Sequence, residues 1–356
     1  MEKVIKQAVG IDCGKDELVV SIAVLDSSFE ETNLITFSVT NELVGFAKLV
    51  QMINKYQCAD VIAHLVVEAT GVYHERLCYY LAEHGLKISV ILPNRAASFM
   101  RTLATKTVND KISSAALAIM GLQKKLDIWQ VPEPTINHLK QLSRERESLS
   151  EDITSMKNQL HALNHSALLA EGSIKRMQFR IEVAQVQMGE IEQEMKTVIA
   201  ANSDLQQRFN NVCTIKGVGI ITAVTVVAET NGFNLIRNQR QLVSYAGLDV
   251  IKKESGTSIK TPGRISHQGN VHLRKALHFP ALAAARFDER AKERYTNLLA
   301  KHNIKMKAAV AIQRKLLVLI YTLWKNNEAY DINRSSLKYL EQSKKTALTE
   351  LVLDRS

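Results

Sequence analysis

Three acids and one serine are the residues of this chain whose types and settings could do chemistry. Asp12 ends the apolar run AVGID, and Glu68 ends a second, VIAHLVVE. Carboxylates at the ends of neighbouring buried strands can converge on one point, and two or three of them make an oxygen cage for Mg2+. Asp110 opens a helix after the basic segment RTLATKTVND and is the candidate for a third ligand. Each acid has a plainer reading beside this one. Asp12 could begin a turn, and Asp110 could be a helix N-cap. Glu68 is harder to dismiss, because VVEATG places a charge where an apolar strand would otherwise continue, and charges are rarely buried unpaired.

The serine lies in ESGTSIKTPGRISHQGNVHLRKAL, Glu254 to Leu277, a glycine-broken, basic stretch with no apolar periodicity before Val271. It reads as a polar loop feeding a helix. From Lys252 to Lys315 there are 15 Lys+Arg against 4 Asp+Glu, so 15 − 4 = +11, while the whole chain carries +10. The positive excess of the protein is therefore concentrated there, as suits contact with a phosphodiester backbone. Lys252, Lys253, Lys260, Arg264, Arg274 and Lys275 are the candidate phosphate contacts, with a solvated surface as their bland alternative. Ser255, Ser258 and Ser266 are candidate nucleophiles, and Ser255 could equally be a turn residue before Gly256. Upstream, IKGVGIITA places Gly217 and Gly219 before a helix, the pattern of a helix-hairpin-helix whose N–H groups meet a phosphate; GxG before a helix is also often only a tight turn.

The elements that must position these groups divide the chain in three. Residues 8–25 read as two strands around a polar break, Leu34 to Val39 as a third, and Asn41 as the N-cap of a helix to about Tyr56. Ala59 to Glu68 and Lys87 to Leu92 read as strands and His74 to His84 as a helix closed by Gly85, giving an α/β layer with a mixed sheet. Pro132 and Pro134 mark its end. Beyond them, Leu142, Leu149, Ile153, Met156, Leu160 and Leu163, then Ile181, Ala184, Met188, Ile191, Met195 and Val198, repeat as heptad seams on two helices. Each arm would span roughly 40 Å at 1.5 Å per residue. An arm that dimerises is favoured over a mere internal spacer. From Phe209 the chain is glycine-punctuated and helical to about Trp324, with a polar end. The expected segments are 1–132, 133–206, 207–330 and a tail at 331–356.

Composition limits the partners. A pI near 9.3 asks for an anionic surface, and no apolar run approaches the roughly 18 residues of a membrane span, so nucleic acid is favoured over a bilayer. MEKVIKQAVGIDCG leads into a strand and has no signal-peptide pattern. Cys13, Cys58, Cys78 and Cys213 form no CxxC pair, which argues against zinc and disulfides and fits a reducing cytoplasm.

In order and spacing, GIDCGKDELVVSI, VVEATGVYHERL, NDKISSAALA, IKGVGIITA, SYAGL and ESGTSIKTPGRISHQGNVHLRKAL resemble the insertion-sequence transposases of the IS-one-ten family, DEDD-type recombinases guided by a bridge RNA, over nearly the whole chain. The resemblance implies a RuvC-like, RNase H-like N-terminal domain, a coiled-coil arm and a mainly helical C-terminal transposase domain. It implies Asp12, Glu68 and Asp110 as acids holding Mg2+, with Mn2+ as an alternative, and Ser255 as a nucleophile that forms a covalent phosphoserine link to DNA. It further implies DNA and a noncoding guide RNA as partners, a dimer or tetramer, bacterial cytoplasm with nucleoid association, and a composite site within one chain or across two. One position departs: the family's second aspartate, three residues after Asp110, is Ser113 here. A hydroxyl can still ligate Mg2+, so the expectation is a weaker site of three acids plus Ser113 or water. A junction-resolving nuclease using activated water, and a decayed nucleic-acid-binding protein, are the competing readings.

Overall fold

A computed structural model describes residues 3–331 apart from 104–106, 108, 169, 235, 252–253, 256–258 and 261–262, and for 254–255 and 259–260 it gives the strand pairing alone. The chain divides into two compact units, Met1–Val131 and Pro132–Ser356.

The first unit is built on β1 (Val4–Cys13), β2 (Glu17–Asp26), β3 (Glu31–Thr40), β4 (His64–Glu68) and β5 (Lys87–Ile91). The strands are ordered β3-β2-β1-β4-β5, with β2 antiparallel to both neighbours and β1, β4 and β5 mutually parallel. That order, with its single reversed strand, is the RNase H-like arrangement. Helices α1 (Leu43–Lys55), α2 (Glu75–Glu83), α3 (Pro93–Met100) and α4 (Asp110–Gln123) complete the layers. On α1 the buried Phe46, Leu49 and Ile53 form one stripe against Leu65, Val67 and Ile22 of the sheet. Each such side chain contributes about 1.5–3 kcal/mol of burial. On the other face α4 lays Ala118 and Leu122 against Ala8 and Ala23. Asn41 is not the cap of α1. Glu42 holds that place without a side-chain bond, and the Asn41 amide instead donates to the carbonyls of Gly14 and Tyr73, at 2.9 and 3.0 Å.

The second unit is helical: α5 (Pro134–Asn164), α6 (Glu171–Ala200), α7 (Ser203–Cys213), α8 (Ile220–Glu229), α9 (Gln239–Tyr245), α10 (Val271–Ala276), α11 (His278–Phe287), α12 (Glu289–His302) and α13 (Lys305–Asn326). Asparagines 202, 238 and 270 and Asp288 cap α7, α9, α10 and α12 through their side chains. The two long helices pair antiparallel: His138 meets Glu194 and Arg146 meets Glu192, while farther out Ile153 packs with Ile181 and Ala184. Their inner turns do not stand apart. Ile136, Leu139, Leu142, Ile191, Met195 and Ile199 join one core with Phe209, Val224, Phe233, Leu317 and Trp324. The inner turns of the seam are thus continuous with the helical core on the far side of residue 206; the tail expected at 331–356 lies, from 332 on, outside the described residues.

The stretch read as a polar loop is paired. Four short strands, β6 (Val250–Ile251), β7 (Glu254–Ser255), β8 (Ile259–Lys260) and β9 (Arg264–Ile265), form two nested antiparallel ladders. The sequence hides them because each is two residues long, too short for alternation to register.

Candidate active site

The three acids come together at one end of the sheet. Asp12 is the last residue but one of β1, Glu68 ends the adjacent parallel β4, and Asp110 is the first residue of α4, which crosses β1. The crossing is close because of Gly10: a Cβ there would lie 2.0 Å from the Ser114 carbonyl oxygen and 2.3 Å from the Ala118 nitrogen. No other residue allows that approach. Ser114 then fixes the helix, its hydroxyl 2.9 Å from that of Ser21 on β2.

Asp110 is free of capping duty, since Asn109 is the cap and accepts from Ile112 N at 2.9 Å. Electrostatics record the convergence. Burial, then the Asp110 charge, push the Asp12 carboxyl above its ordinary value; burial, then Asp12, do the same to Glu68. Ser113, buried on the first turn of α4, donates its hydroxyl to Asp12 and partly offsets this. Among the described residues no three His, Cys, Asp or Glu side chains stand at ligating distance of a common point. The donor types nonetheless suit a hard divalent cation: all are oxygens, Asp12 and Glu68 are half-buried, and Asp110 is exposed.

Ser255 occupies β7, opposite Ile259, near the turn of its hairpin. The base of that hairpin is anchored in several ways. Ser266 donates from both its amide and its hydroxyl to Asp249. Ser266, a candidate nucleophile, thus has a structural partner. Gly247, at φ +67°, and Gly269 meet so tightly that a Cβ on Gly269 would lie 2.3 Å from Gly247 N. Asn270 caps α10 and donates to Glu229 Oε2 at 2.6 Å, while Arg144 Nε donates to Glu229 Oε1 at 2.7 Å. Glu229 is 3% exposed. Burial would raise its pKa, but the hydrogen bonds from Arg144 and Asn270 and the charges of Arg144 and Lys140 hold it below the ordinary value.

The proposed phosphate contacts separate under this geometry. Arg274 Nη1 donates to the carbonyls of Ala246, Gly269 and Asn270, tying the hairpin base, and Lys275 is paired with Glu147 and Glu151. Both have internal work. Arg264 is exposed on β9, the strand partner of Lys260 is Glu254, and Lys252, Lys253 and Ser258 lie outside the described residues. Gly217, at φ +90°, is explained by packing: a Cβ would lie 2.7 Å from the Pro280 carbonyl. Gly219 caps α8, with nothing near its Cβ position.

Sequence reasoning missed Glu229, read only as the end of an apolar helix. It also missed a cavity of about 1870 Å3 in the second unit, lined by Arg240, Arg294, Lys307, Arg314 and Lys315 among others. Those cations lie on three helices, α9, α12 and α13, each of which reads alone as a solvated face.

A transposase family model of the DEDD, IS110 type matches residues 9–166, and the model of the transposase IS116/IS110/IS902 family matches residues 210–296. The pilin gene-inverting protein of Moraxella bovis is 25% identical over 294 residues, covering 82% of this chain and 89% of that one. The transposase for insertion sequence element IS1111A of Coxiella burnetii is 32% identical over 146 residues, 40% of this chain and 39% of that. Among solved structures, T. thermophilus RuvC in complex with a Holliday junction substrate aligns over 35% of this chain and 99% of its own, at 10% identity and a TM-score of 0.27. The chain belongs to the IS116/IS110/IS902 family of transposases, enzymes that cut and rejoin DNA.

Proposed function

We propose that the chain recombines DNA through a covalent phosphoserine intermediate, with Ser255 as the nucleophile and the acids of the first unit as its metal-holding groups. The observation that supports the acids' part is their placement, Asp12 and Glu68 near the ends of adjacent parallel strands and Asp110 at the start of the helix packed across β1. Asp12, Glu68, Asp110 and the Ser113 hydroxyl are the groups that would hold Mg2+ or Mn2+. When bound, the ion neutralises scissile-phosphate charge. The Ser255 hydroxyl gives its proton to solvent, its oxygen bonds to phosphorus, and the P–O bond to the strand breaks, the leaving oxygen taking up a proton. Rejoining reverses these steps from a strand hydroxyl. Bond energy is kept in the ester, so no nucleotide cofactor is consumed.

Target choice is assigned to a noncoding RNA from the element's own end, read by base pairing. The assembly is a homo-oligomer, supported by a second apolar stripe on α6: Phe179 and Val186 are 65% and 62% exposed, with Val183 between them. Such spacing suits a partner helix. Light scattering on the Phe179→Glu, Val186→Glu pair should show a smaller particle; an unchanged mass removes the stripe from the interface.

The chemistry is tested by incubating protein, divalent cation, candidate RNA and labelled element-end DNA. A denaturant-resistant protein–DNA adduct is expected, and it should vanish in Ser255→Ala. Free nicked DNA with no adduct would instead mark a nuclease, and binding without cleavage a decayed copy.

A further inference from the structure

The cavity of the second unit combines two features, of which a surface for duplex DNA alone needs only the first. The first is uncompensated charge. Glu147 and Glu151, the carboxylates in its wall, are already bound to Lys275 and His272, and Arg146 is bound to Glu192. Arg240, Arg294, Lys307, Arg314 and Lys315 remain exposed, with no carboxylate at ion-pair distance among the described residues. The second is an exposed aromatic ring among them. Phe279, on the first turn of α11, lines the same cavity at 76% exposure, its ring 5.3 Å from that of His278 in an edge-to-face pair. An apolar ring held in water beside five unpaired cations is costly for a site that only meets phosphates, which duplex DNA presents outermost. A strand whose bases are unpaired offers both a phosphate row for the cations and flat faces for the ring.

We propose that this cavity binds an unpaired polynucleotide strand, with a base stacked on Phe279 and the flanking phosphates held by Lys307, Arg314 and Lys315. The inference rests on the recombinase reading above but assigns a separate function to a separate set of residues. The strand is recognised by charge and by stacking, so DNA and RNA share the chemistry.

Fluorescence anisotropy with labelled 12-mers tests it: one sequence as single-stranded DNA, as single-stranded RNA and as duplex DNA, on the full chain. Phe279→Ala should weaken single-strand binding about tenfold and leave duplex binding within about twofold, and Phe279→Trp should restore it. Because the ring is exposed, the fold should be unaffected, which melting curves check. Replacing Lys307, Arg314 and Lys315 by Ala should lower the slope of log K against log salt by about 2 for single strands. The RNA and DNA arms show which sugar is preferred. Equal losses for duplex and single strand in Phe279→Ala, or no loss in either, would overturn the proposal. So would unchanged strand binding with a changed mass by light scattering, which would make the face a self-association surface. Ser255→Ala separates the two readings: it should abolish the adduct while leaving strand binding intact.

Discussion

The two units hold their functional groups by opposite means. In the first, Asp12 and Glu68 are residues of a five-stranded sheet and Asp110 begins a helix clamped to that sheet, so position follows from backbone ladders and apolar burial. In the second, Ser255 is carried on ladders of two residues, and its place depends on polar ties at the base of the hairpin, from Ser266 to Asp249, Arg274 to three carbonyls, and Asn270 to Glu229. Burial is stiff and insensitive to charge. Polar ties are specific but respond to single substitutions and to pH. The metal cage proposed for the first unit would need the former, because its ligands must oppose one another's repulsion. The nucleophile proposed at Ser255, which would reach a strand and then be released by one, would suit the latter.

The comparison breaks most severely at Gly10. Gly10→Val would place a side chain where the Ser114 carbonyl and the Ala118 amide already are. Overpacking against helix backbone should cost about 3 kcal/mol or more and lift α4 off the sheet. Differential scanning of the full chain should show the melting of the first unit collapse while that of the second stays. Loss of both together would show that the units do not fold independently.

How much of this was legible can be judged residue by residue. Asp12 and Glu68 were visible because a carboxylate at the end of an apolar strand breaks a pattern. Asp110 was ambiguous between cap and ligand, and Asn109 taking the cap removes only the first of these readings. The sheet followed from long alternating or apolar runs, and the long helices from their heptads. The serine hairpin was invisible, since two-residue strands carry no period. Glu229 was invisible too. Its meaning lies in Arg144 and Asn270, at |i−j| of 85 and 41, and no local pattern links such partners. The cavity cations failed for the same reason.

Ser113 tests the first unit more gently. Ser113→Asp would restore a fourth carboxylate, removing the hydrogen bond to Asp12 and adding a like charge beside it. Isothermal titration should show divalent affinity rising by about tenfold or more, tenfold being about 1.4 kcal/mol of the roughly 4 kcal/mol that one charge pair at 4 Å carries at an effective dielectric near 20. Without metal, the same substitution should lower the melting temperature of the first unit. The opposed signs are the diagnostic feature. If affinity and recombination are both unchanged, position 113 is not a ligand.

The smallest expected effect lies in the second unit, where Glu229 makes stability depend on pH. Its folded pKa is depressed below the ordinary 4.5: burial acts to raise it, and the bonds and charges of Arg144, Asn270 and Lys140 outweigh burial. A carboxyl depressed on folding contributes stability that is fully present above its unfolded value and lost as pH falls through the folded one. Urea midpoints of the second unit should therefore be flat from pH 7 to about 5 and decline below about 4.5. Glu229→Gln keeps the amide oxygen for Asn270 but gives up the charge facing Arg144. It should lower the midpoint at pH 7 and flatten the acid limb, so that the two proteins converge at low pH. Parallel curves would mean that other carboxylates set the acid limb. In that case the clamp would hold the hairpin base by shape alone, and the contrast between acids placed by a sheet and a serine hairpin tied by charge would lose its electrostatic half.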